Sequence, residues 1–139
     1  MTLIDIAVVL LSVIGLLISS YFTAISYRWI RPDEKWIPAF CRLGERTCAS
    51  IIFTPRARVF GLPNSVLGQV FYAALLIGGL AGRLEGDALT LYLLASLVTV
   101  ALGAYLTYSL LFLTRVPCTL CFTSHLINLV IFIMLLTLR

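Results

Sequence analysis

The last apolar stretch of the chain, residues 118–138, reads CTLCFTSHLINLVIFIMLLTL and contains no charged residue. A helix of this length reaches about 30 Å, which is the thickness of the hydrocarbon core of a bilayer. The same stretch opens with a C-x-x-C pair and carries the only histidine of the chain. It therefore predicts a membrane-spanning helix with reactive side chains near its start.

The composition of the whole chain also indicates a membrane protein. Of the 139 residues, 61% are hydrophobic and 12% are charged, whereas soluble domains average about 45–50% and about 25%. Ten basic and six acidic residues are too few to cover a soluble core. The composition excludes a soluble globular protein, a disordered chain and a multidomain protein. The net charge of +4 is small and concentrated in one loop, which argues against nucleic-acid binding.

Four apolar stretches are long enough, or nearly long enough, to cross a membrane. The predicted spans are residues 3–27, 65–81, 88–113 and 118–138, of which the second is short. Spans two and three, and spans three and four, are joined by brief connections, which make antiparallel neighbours. The fold class that we predict is an all-α integral membrane protein, a four-transmembrane-helix bundle that forms a single domain over residues 1–139.

The connection between the first two spans, residues 28–63, is much longer than the others. It contains 36 residues, with four of the five prolines and seven of the ten basic residues. Loops of this length are usually functional or disordered. Its aromatic residues, among them Trp29 and Trp36, favour a folded cap on the membrane surface, although tryptophans also serve as ordinary interfacial anchors. We call residues 28–63 the cap loop.

All four cysteines are predicted at one end of the bundle. With four spans, the cap loop and the turn that precedes Cys118 emerge on the same side of the membrane. Cys41 and Cys48 lie in the cap loop, and Cys118 and Cys121 open the fourth helix after Pro117. The positive end of a helix stabilises a thiolate, and a C-x-x-C at a helix start is typical of an exchanging redox pair.

Polar residues continue the line of the C-x-x-C pair into the membrane. His125 and Asn128 follow Cys121 at spacings of four and three residues, so with Cys118 they form one stripe on the fourth helix. Ionisable residues in membrane helices are costly and by default mark a functional site. The alternatives are that His125 is a packing residue bonded to a neighbouring helix and that Asn128 joins two helices.

Two dithiols suggest a relay of electrons. Cys41 and Cys48 are close enough in sequence to form a disulfide, which would exchange with soluble proteins and pass electrons to Cys118 and Cys121. A quinone is the natural lipid-phase acceptor, because a dithiol releases the two electrons and two protons that a quinone takes up. A permanent disulfide between residues 41 and 48 and a zinc site of four cysteines are alternatives. We predict no metal, because only one short C-x-x-C arm is present.

The order of these motifs resembles the vitamin K epoxide reductase family. The resemblance covers most of the chain, from about residue 37 to residue 128. The other four-helix family that couples disulfide formation to quinones carries its C-x-x-C in a loop and fits less well. The matching segments are the loop residues Cys41 and Cys48, Phe60-Gly61-Leu62, Asn64-Ser65-Val66-Leu67-Gly68, Phe71-Tyr72 and Cys118-x-x-Cys121.

The resemblance implies a role for each cysteine. It implies that Cys118 and Cys121 are the active-site pair, with Cys121 as the thiolate that reduces the quinone. Cys48 would attack Cys118 during transfer, and Cys41 would form mixed disulfides with a thioredoxin-fold partner. Many bacterial relatives carry a fused thioredoxin domain, and because this sequence ends at Arg139 we expect the partner to be supplied in trans.

The resemblance also implies a membrane quinone, of the ubiquinone or menaquinone type, as electron acceptor. Asn64 would bond a quinone carbonyl, and Phe71 and Tyr72 would line the pocket. His125 stands where the animal enzymes have a tyrosine, and a histidine can still donate a hydrogen bond or a proton to the quinone oxygen. The departure weakens the expectation of epoxide reduction and of vitamin K as substrate. The rival functions are a membrane scaffold stapled by zinc or disulfides and a small transporter that uses His125 and Asp5.

The charges and the resemblance imply opposite orientations in the cell membrane. Eight basic residues lie on the cysteine side and two on the other, which by the positive-inside rule places the cysteines in the cytoplasm. The family usually exposes its thiols outside the cytoplasm, where disulfides persist. Either the basic cap loop is paired with Asp33, Glu34 and Glu45, although acidic residues count for little in this rule, or the protein is an inverted member that oxidises cytosolic proteins. We favour the cytoplasm-facing orientation. We also expect the protein to be a monomer.

Overall fold

The structure of the protein is a computed structural model that describes residues 1–27, 29, 58–59, 62–114 and 119–139. Its four helices confirm the predicted helical bundle and lie close to the predicted spans. The helices and strands, numbered here in chain order, are α1 (Leu3–Ser26), β1 (Arg58–Val59), β2 (Leu62–Pro63), α2 (Asn64–Leu80), α3 (Gly86–Tyr108) and α4 (Thr119–Thr137).

Three of the four helices in the described part of the chain are long and apolar enough to cross a bilayer. They are α1, α4 and α3, the last of which continues beyond Tyr108 as a π-helical turn, Ser109–Thr114. α2 is apolar but has 17 residues, somewhat fewer than the roughly 20 that a perpendicular span requires. The structure therefore confirms a membrane protein and identifies α2 as the short helix that the sequence predicts.

The helix ends are determined by local sequence. α1 begins with a capping box, in which the Thr2 hydroxyl accepts from the backbone N–H of Asp5 at 3.2 Å and the Thr2 backbone N–H donates to the Asp5 carboxylate at 2.6 Å. The turn between α2 and α3 contains Gly82 and Gly86 at φ values of 63° and 61°. Residues with a Cβ rarely adopt this conformation, so glycine allows the reversal within a few residues.

The helices alternate in direction, so that α1 ends, α2 begins, α3 ends and α4 begins at the same end of the bundle. We call this the cysteine end, because Cys121 lies in the first turn of α4. α1 packs mainly against α2, α3 packs mainly against α4, and α1 also contacts α4. α2 meets α3 through Tyr92, whose hydroxyl donates to the carbonyl of Ala74 at 3.3 Å. α2 and α4 thus run parallel on opposite corners of the bundle.

The seam between α1 and α2 is made of small residues. A Cβ at Gly68 would lie 2.9 Å from Oγ of Ser19, and a Cβ at Gly79 would lie 2.6 Å from Cγ2 of Val9. Lipid tails are as apolar as the side chains themselves, so close backbone approach, rather than a hydrophobic force, holds membrane helices together. Glycine at these positions therefore brings α1 and α2 into close contact.

A polar network closes the same seam near the cysteine end. The Thr23 hydroxyl donates to Oε1 of Gln69 at 3.0 Å and lies 2.9 Å from the Ser65 hydroxyl. Nε2 of Gln69 in turn donates to Oγ of Ser20 at 3.0 Å. Each interhelical hydrogen bond in a membrane contributes on average about 0.6 kcal/mol. The network thus fixes the register of α1 against α2.

A short antiparallel pair precedes α2. β1 and β2 place Arg58 opposite Pro63 and Val59 opposite Leu62, and Asn64 follows immediately as the first residue of α2. Two residues on each strand carry too little periodicity to be predicted from sequence. The remainder of the cap loop, with the prediction that it is folded, lies outside the described residues except for Trp29, whose ring stacks on Tyr27 with the ring centroids 5.4 Å apart.

Candidate active site

Cys121 lies in the first turn of α4 and is disulfide-bonded. Its side chain is half-buried and packs beside Phe22 and Ile25, which are buried near the end of α1. The sequence predicts this position at a helix start, where backbone N–H groups without intrahelical partners favour a thiolate. The other three predicted redox cysteines, at positions 41, 48 and 118, lie outside the described residues.

His125 lies one turn deeper than Cys121 and packs against Gly103 of α3. A Cβ at position 103 would lie 3.0 Å from Nδ1 of His125 and 3.4 Å from its Cγ, so the absence of a side chain there makes room for the imidazole. Nδ1 is buried and has no hydrogen-bond partner within the described part of the chain. A buried polar atom without a partner costs about 1–3 kcal/mol and calls for a specific explanation, such as a water or a ligand.

Asn128 contacts a different helix. The Tyr72 hydroxyl, which projects from α2 across the bundle, donates to Oδ1 of Asn128 at 2.5 Å and lies 3.5 Å from Oγ of Ser124. The predicted stripe on α4 therefore divides among three neighbours. Cys121 lies against α1, His125 against α3, and Asn128 is bonded to α2.

Tyr72 and Phe71, both predicted to line the quinone pocket, lie in the core. Tyr72 is 1% exposed, and its ring lies against Gly15 of α1. Phe71 is buried in the same apolar cluster, with its ring centroid 5.5 Å from that of Tyr72. The hydroxyl of Tyr72 is already hydrogen-bonded, whereas Phe71 offers an apolar ring.

Asn64 is half-buried at the start of α2. Asn64, Phe71 and Gly78 recur every seven residues and therefore share one side of α2. A Cβ at Gly78 would overlap the ring of Tyr92 on α3, so this side of α2 meets α3 at the end of α2 that is remote from Asn64. The predicted quinone ligand Asn64 and the predicted ring contact Phe71 thus lie on the same side of α2 as Gly78.

The depths of the predicted residues can be compared because α2 and α4 run parallel. The bonds of Tyr72 place it level with residues 124–128 of α4. Asn64 is eight residues nearer the cysteine end than Tyr72, or roughly 12 Å at the rise of a helix. Cys121 also lies towards that end, in the first turn of α4. Asn64 and Cys121 therefore lie near the cysteine end of the bundle, and Phe71 and His125 lie further from it.

The described residues include no group of three or more His, Cys, Asp or Glu side chains that could hold a metal ion. The zinc alternative depends on the cysteines at 41, 48 and 118 as well as on Cys121. Cys121 is disulfide-bonded in this structure, and the other three cysteines lie outside the described residues.

The sequence profile of the vitamin K epoxide reductase family matches residues 6–136. The chain belongs to this family. Two relatives named "Vitamin K epoxide reductase complex subunit 1", from Mus musculus and from Rattus norvegicus, are each 34% identical over 129 residues. Each match covers 82% of this chain and 77% of the relative.

Membership of the vitamin K epoxide reductase family confirms the resemblance seen in the sequence. It supports, in general terms, a membrane oxidoreductase that acts on thiols and a quinone. The thiol partner, the path of the electrons, the type of quinone and the orientation in the membrane are finer questions, which we treat as proposals.

Two residues of the candidate site, Gly103 and Ser124, could not be recognised from the sequence alone. Gly103 was not singled out, because a glycine in an apolar span has no distinctive signal unless the side chain opposite it is known. Ser124 was also missed, although it lies between Cys121 and Asn128 on α4. Its proximity to the Tyr72 hydroxyl depends on a contact 52 positions away in sequence.

Proposed function

We propose that this protein is a thiol–quinone oxidoreductase that generates disulfide bonds in partner proteins. The observation that carries the proposal is the combination of a disulfide-bonded Cys121 in the first turn of α4 with a buried Nδ1 of His125, one turn deeper, that has no partner among the described residues. A disulfide sulfur and a hydrogen-bonding group thus lie on one apolar helix, where a quinone dissolved in the lipid can reach them.

The proposed cycle consists of two exchanges and one reduction. A thioredoxin-fold protein, supplied in trans, gives two electrons and two protons to the Cys41–Cys48 disulfide and leaves with a disulfide of its own. The resulting thiols reduce the Cys118–Cys121 disulfide through a mixed disulfide of Cys48 with Cys118. The dithiol of Cys118 and Cys121 then transfers two electrons and two protons to a quinone, which leaves as hydroquinone while the disulfide forms again.

The proposed quinone site lies between α2, α3 and α4. Asn64 donates a hydrogen bond to one quinone oxygen near the cysteine end of the bundle. His125 serves the other oxygen, either as a hydrogen-bond donor or as the source of a proton, because Nδ1 of its imidazole has no partner in the part of the chain that the structure describes. Phe71 supplies apolar ring surface, and the buried Tyr72 packs beside it. This arrangement is supported by the positions of Asn64 and Cys121 near the cysteine end and of Phe71 and His125 further from it.

An assay of purified protein in lipid nanodiscs tests the proposal. The protein is mixed without oxygen with reduced thioredoxin and a soluble ubiquinone analogue, and hydroquinone is followed by absorbance. The native protein is expected to form hydroquinone, and Cys121→Ala is expected to lose this activity. Leu126→Ala, at an exposed position of α4, serves as the matched control. Equal rates for Cys121→Ala and the native protein would refute the proposal and leave the stapled scaffold as the better explanation.

A further inference from the structure

Three polar side chains of α4 lie within about one helical turn, and they differ in their hydrogen-bond partners. Ser124 and Asn128 both lie within reach of the Tyr72 hydroxyl, at 3.5 Å and 2.5 Å. Nδ1 of His125, between them in sequence, has no hydrogen-bond partner within the described residues. A single hydroxyl from α2 therefore engages the two polar neighbours of the histidine, while Nδ1 of the histidine has no partner in the described part of the chain.

Asn128 is a potential partner for His125. Side chains three positions apart on a helix are neighbours on its surface, and an asparagine amide can both donate and accept. Because Oδ1 of Asn128 accepts from Tyr72, the amide is directed towards α2, whereas His125 lies against Gly103 on α3. Without the hydroxyl, a buried amide would seek another partner, and the imidazole is close by.

The position of the Tyr72 hydroxyl is itself closely constrained. The ring is 1% exposed and lies against the backbone of Gly15 on α1. The tyrosine therefore reaches Asn128 from a fixed base, and it cannot follow the amide if the amide turns. A residue held in this way is suited to hold another in place.

We propose that Tyr72 is a positioning residue: by holding Asn128, its hydroxyl keeps the imidazole of His125 unpaired and available to the quinone. The inference rests on the proposed function, because it requires His125 to bind the quinone. It assigns Tyr72 a role that acts through Asn128, in addition to the ring surface it contributes to the core.

A double-mutant cycle tests this role. Tyr72→Phe keeps the ring on Gly15 and removes only the hydroxyl. In the native background we expect it to raise the KM for the quinone about tenfold, because a hydrogen bond of His125 to Asn128 then competes with the quinone. In the Asn128→Ala background the competitor is absent, and we expect the same change to alter KM by less than about twofold. Asn128→Ala alone is expected to keep a KM close to the native value.

A second measurement does not depend on turnover. The ¹⁵N chemical shift of Nδ1 of His125, recorded without quinone, is expected to move in Tyr72→Phe as Nδ1 gains a hydrogen bond. It is expected to return in the Tyr72→Phe, Asn128→Ala double variant. A loss of packing alone would not be reversed by a second truncation.

Other outcomes overturn the inference. A rise in KM of the same size in both backgrounds would mean that Tyr72 contacts the quinone directly or acts only on packing. An unchanged KM in Tyr72→Phe, or a rise in KM in Asn128→Ala alone, would also overturn it. Cys121→Ala in the same assay separates the two levels. If Cys121→Ala is active, the proposed function is wrong. If Cys121→Ala is inactive but Tyr72→Phe changes KM equally in both backgrounds, only the role of Tyr72 is wrong.

Discussion

The ring of Tyr72 on α2 lies against the backbone of Gly15 on α1, in the space that a side chain at position 15 would occupy. The hydroxyl of the same tyrosine is bonded to Asn128 on α4. Tyr72 therefore connects three helices at the depth of His125. Since the tyrosine fills the space left by a glycine, the packing of the bundle depends on the smallest residue at position 15.

We expect Gly15→Ala to lower the free energy of unfolding by about 1–3 kcal/mol, as in other cases of overpacking. Alanine is the better helix former by about 1 kcal/mol, so a loss of stability could arise only from the contact with Tyr72. The midpoint of thermal unfolding in one detergent is the measurement. Ala101→Val, which adds bulk at an exposed position of α3, is the control. A Gly15→Ala protein as stable as the native one would contradict the packing described here.

The bundle could be predicted from sequence because a bilayer imposes a simple requirement. A span needs roughly 20 apolar residues, and a chain with so few charges shows its spans directly. The contacts between spans obey no such local rule. Tyr72 and Asn128 are 56 positions apart, and nothing near either residue indicates the other. The role of Gly103 is hidden for the same reason, since it depends on the histidine opposite.

The stripe on α4 shows where periodicity stops being informative. His125 and Asn128 are three residues apart, which is about 60° around a helix. The spacing predicts that both face the interior, and the structure places both there. It does not predict that one meets α3 and the other α2, because that depends on how the neighbouring helices surround α4.

His125 can be tested separately from the cysteines. His125→Leu keeps an apolar side chain beside Gly103 but removes the hydrogen-bonding nitrogens, so we expect the quinone kcat/KM to fall by about 10²-fold or more. His125→Gln retains a donor and is expected to lose less. Steady-state rates over a range of quinone concentrations give both values.

Leu126→Ala, at an exposed position next to the histidine, is the control for the His125 variants. Thiol exchange with reduced thioredoxin, measured in a single turnover without quinone, is expected to be normal in all of them. If His125→Leu slowed that exchange as strongly as it slowed quinone reduction, the histidine would act on the cysteines and not on the quinone.

Gly103→Ser introduces a partner for the orphan nitrogen. The new Cβ would lie 3.0 Å from Nδ1 of His125, so a small shift of the imidazole brings Nδ1 within hydrogen-bond distance of the new hydroxyl. We expect the KM for the quinone to rise severalfold, because the imidazole is then paired within the protein. Ala104→Ser adds the same hydroxyl at an exposed neighbouring position of α3 and is expected to keep the native KM. Equal KM values for the two serine variants would show that Nδ1 is not used for the quinone.

The orientation of the bundle decides which proteins it can oxidise. Arg139 lies on the side opposite Cys121, because α4 begins at the cysteine end and runs away from it. Eight of the ten basic residues lie on the cysteine side by sequence, and the positive-inside rule therefore favours cytoplasmic thiols and an external C-terminus. We expect alkaline phosphatase fused after Arg139 to be active, since it folds only where its own disulfides form.

A variant with basic charge removed on one side of the membrane and added on the other tests whether charge sets the orientation. Replacing Arg28 and Arg31 with glutamine removes basic charge next to the end of α1, and introducing two lysines beside Arg83 adds it on the other side. If the charge bias sets the orientation, these changes together should lower the phosphatase activity at Arg139 and raise that of a fused cytoplasmic reporter. A native fusion that is active only with the cytoplasmic reporter would place Cys121 outside the cytoplasm. The substrates would then be exported proteins. The basic cap loop would then lie outside the cytoplasm, and its charge would not determine the orientation.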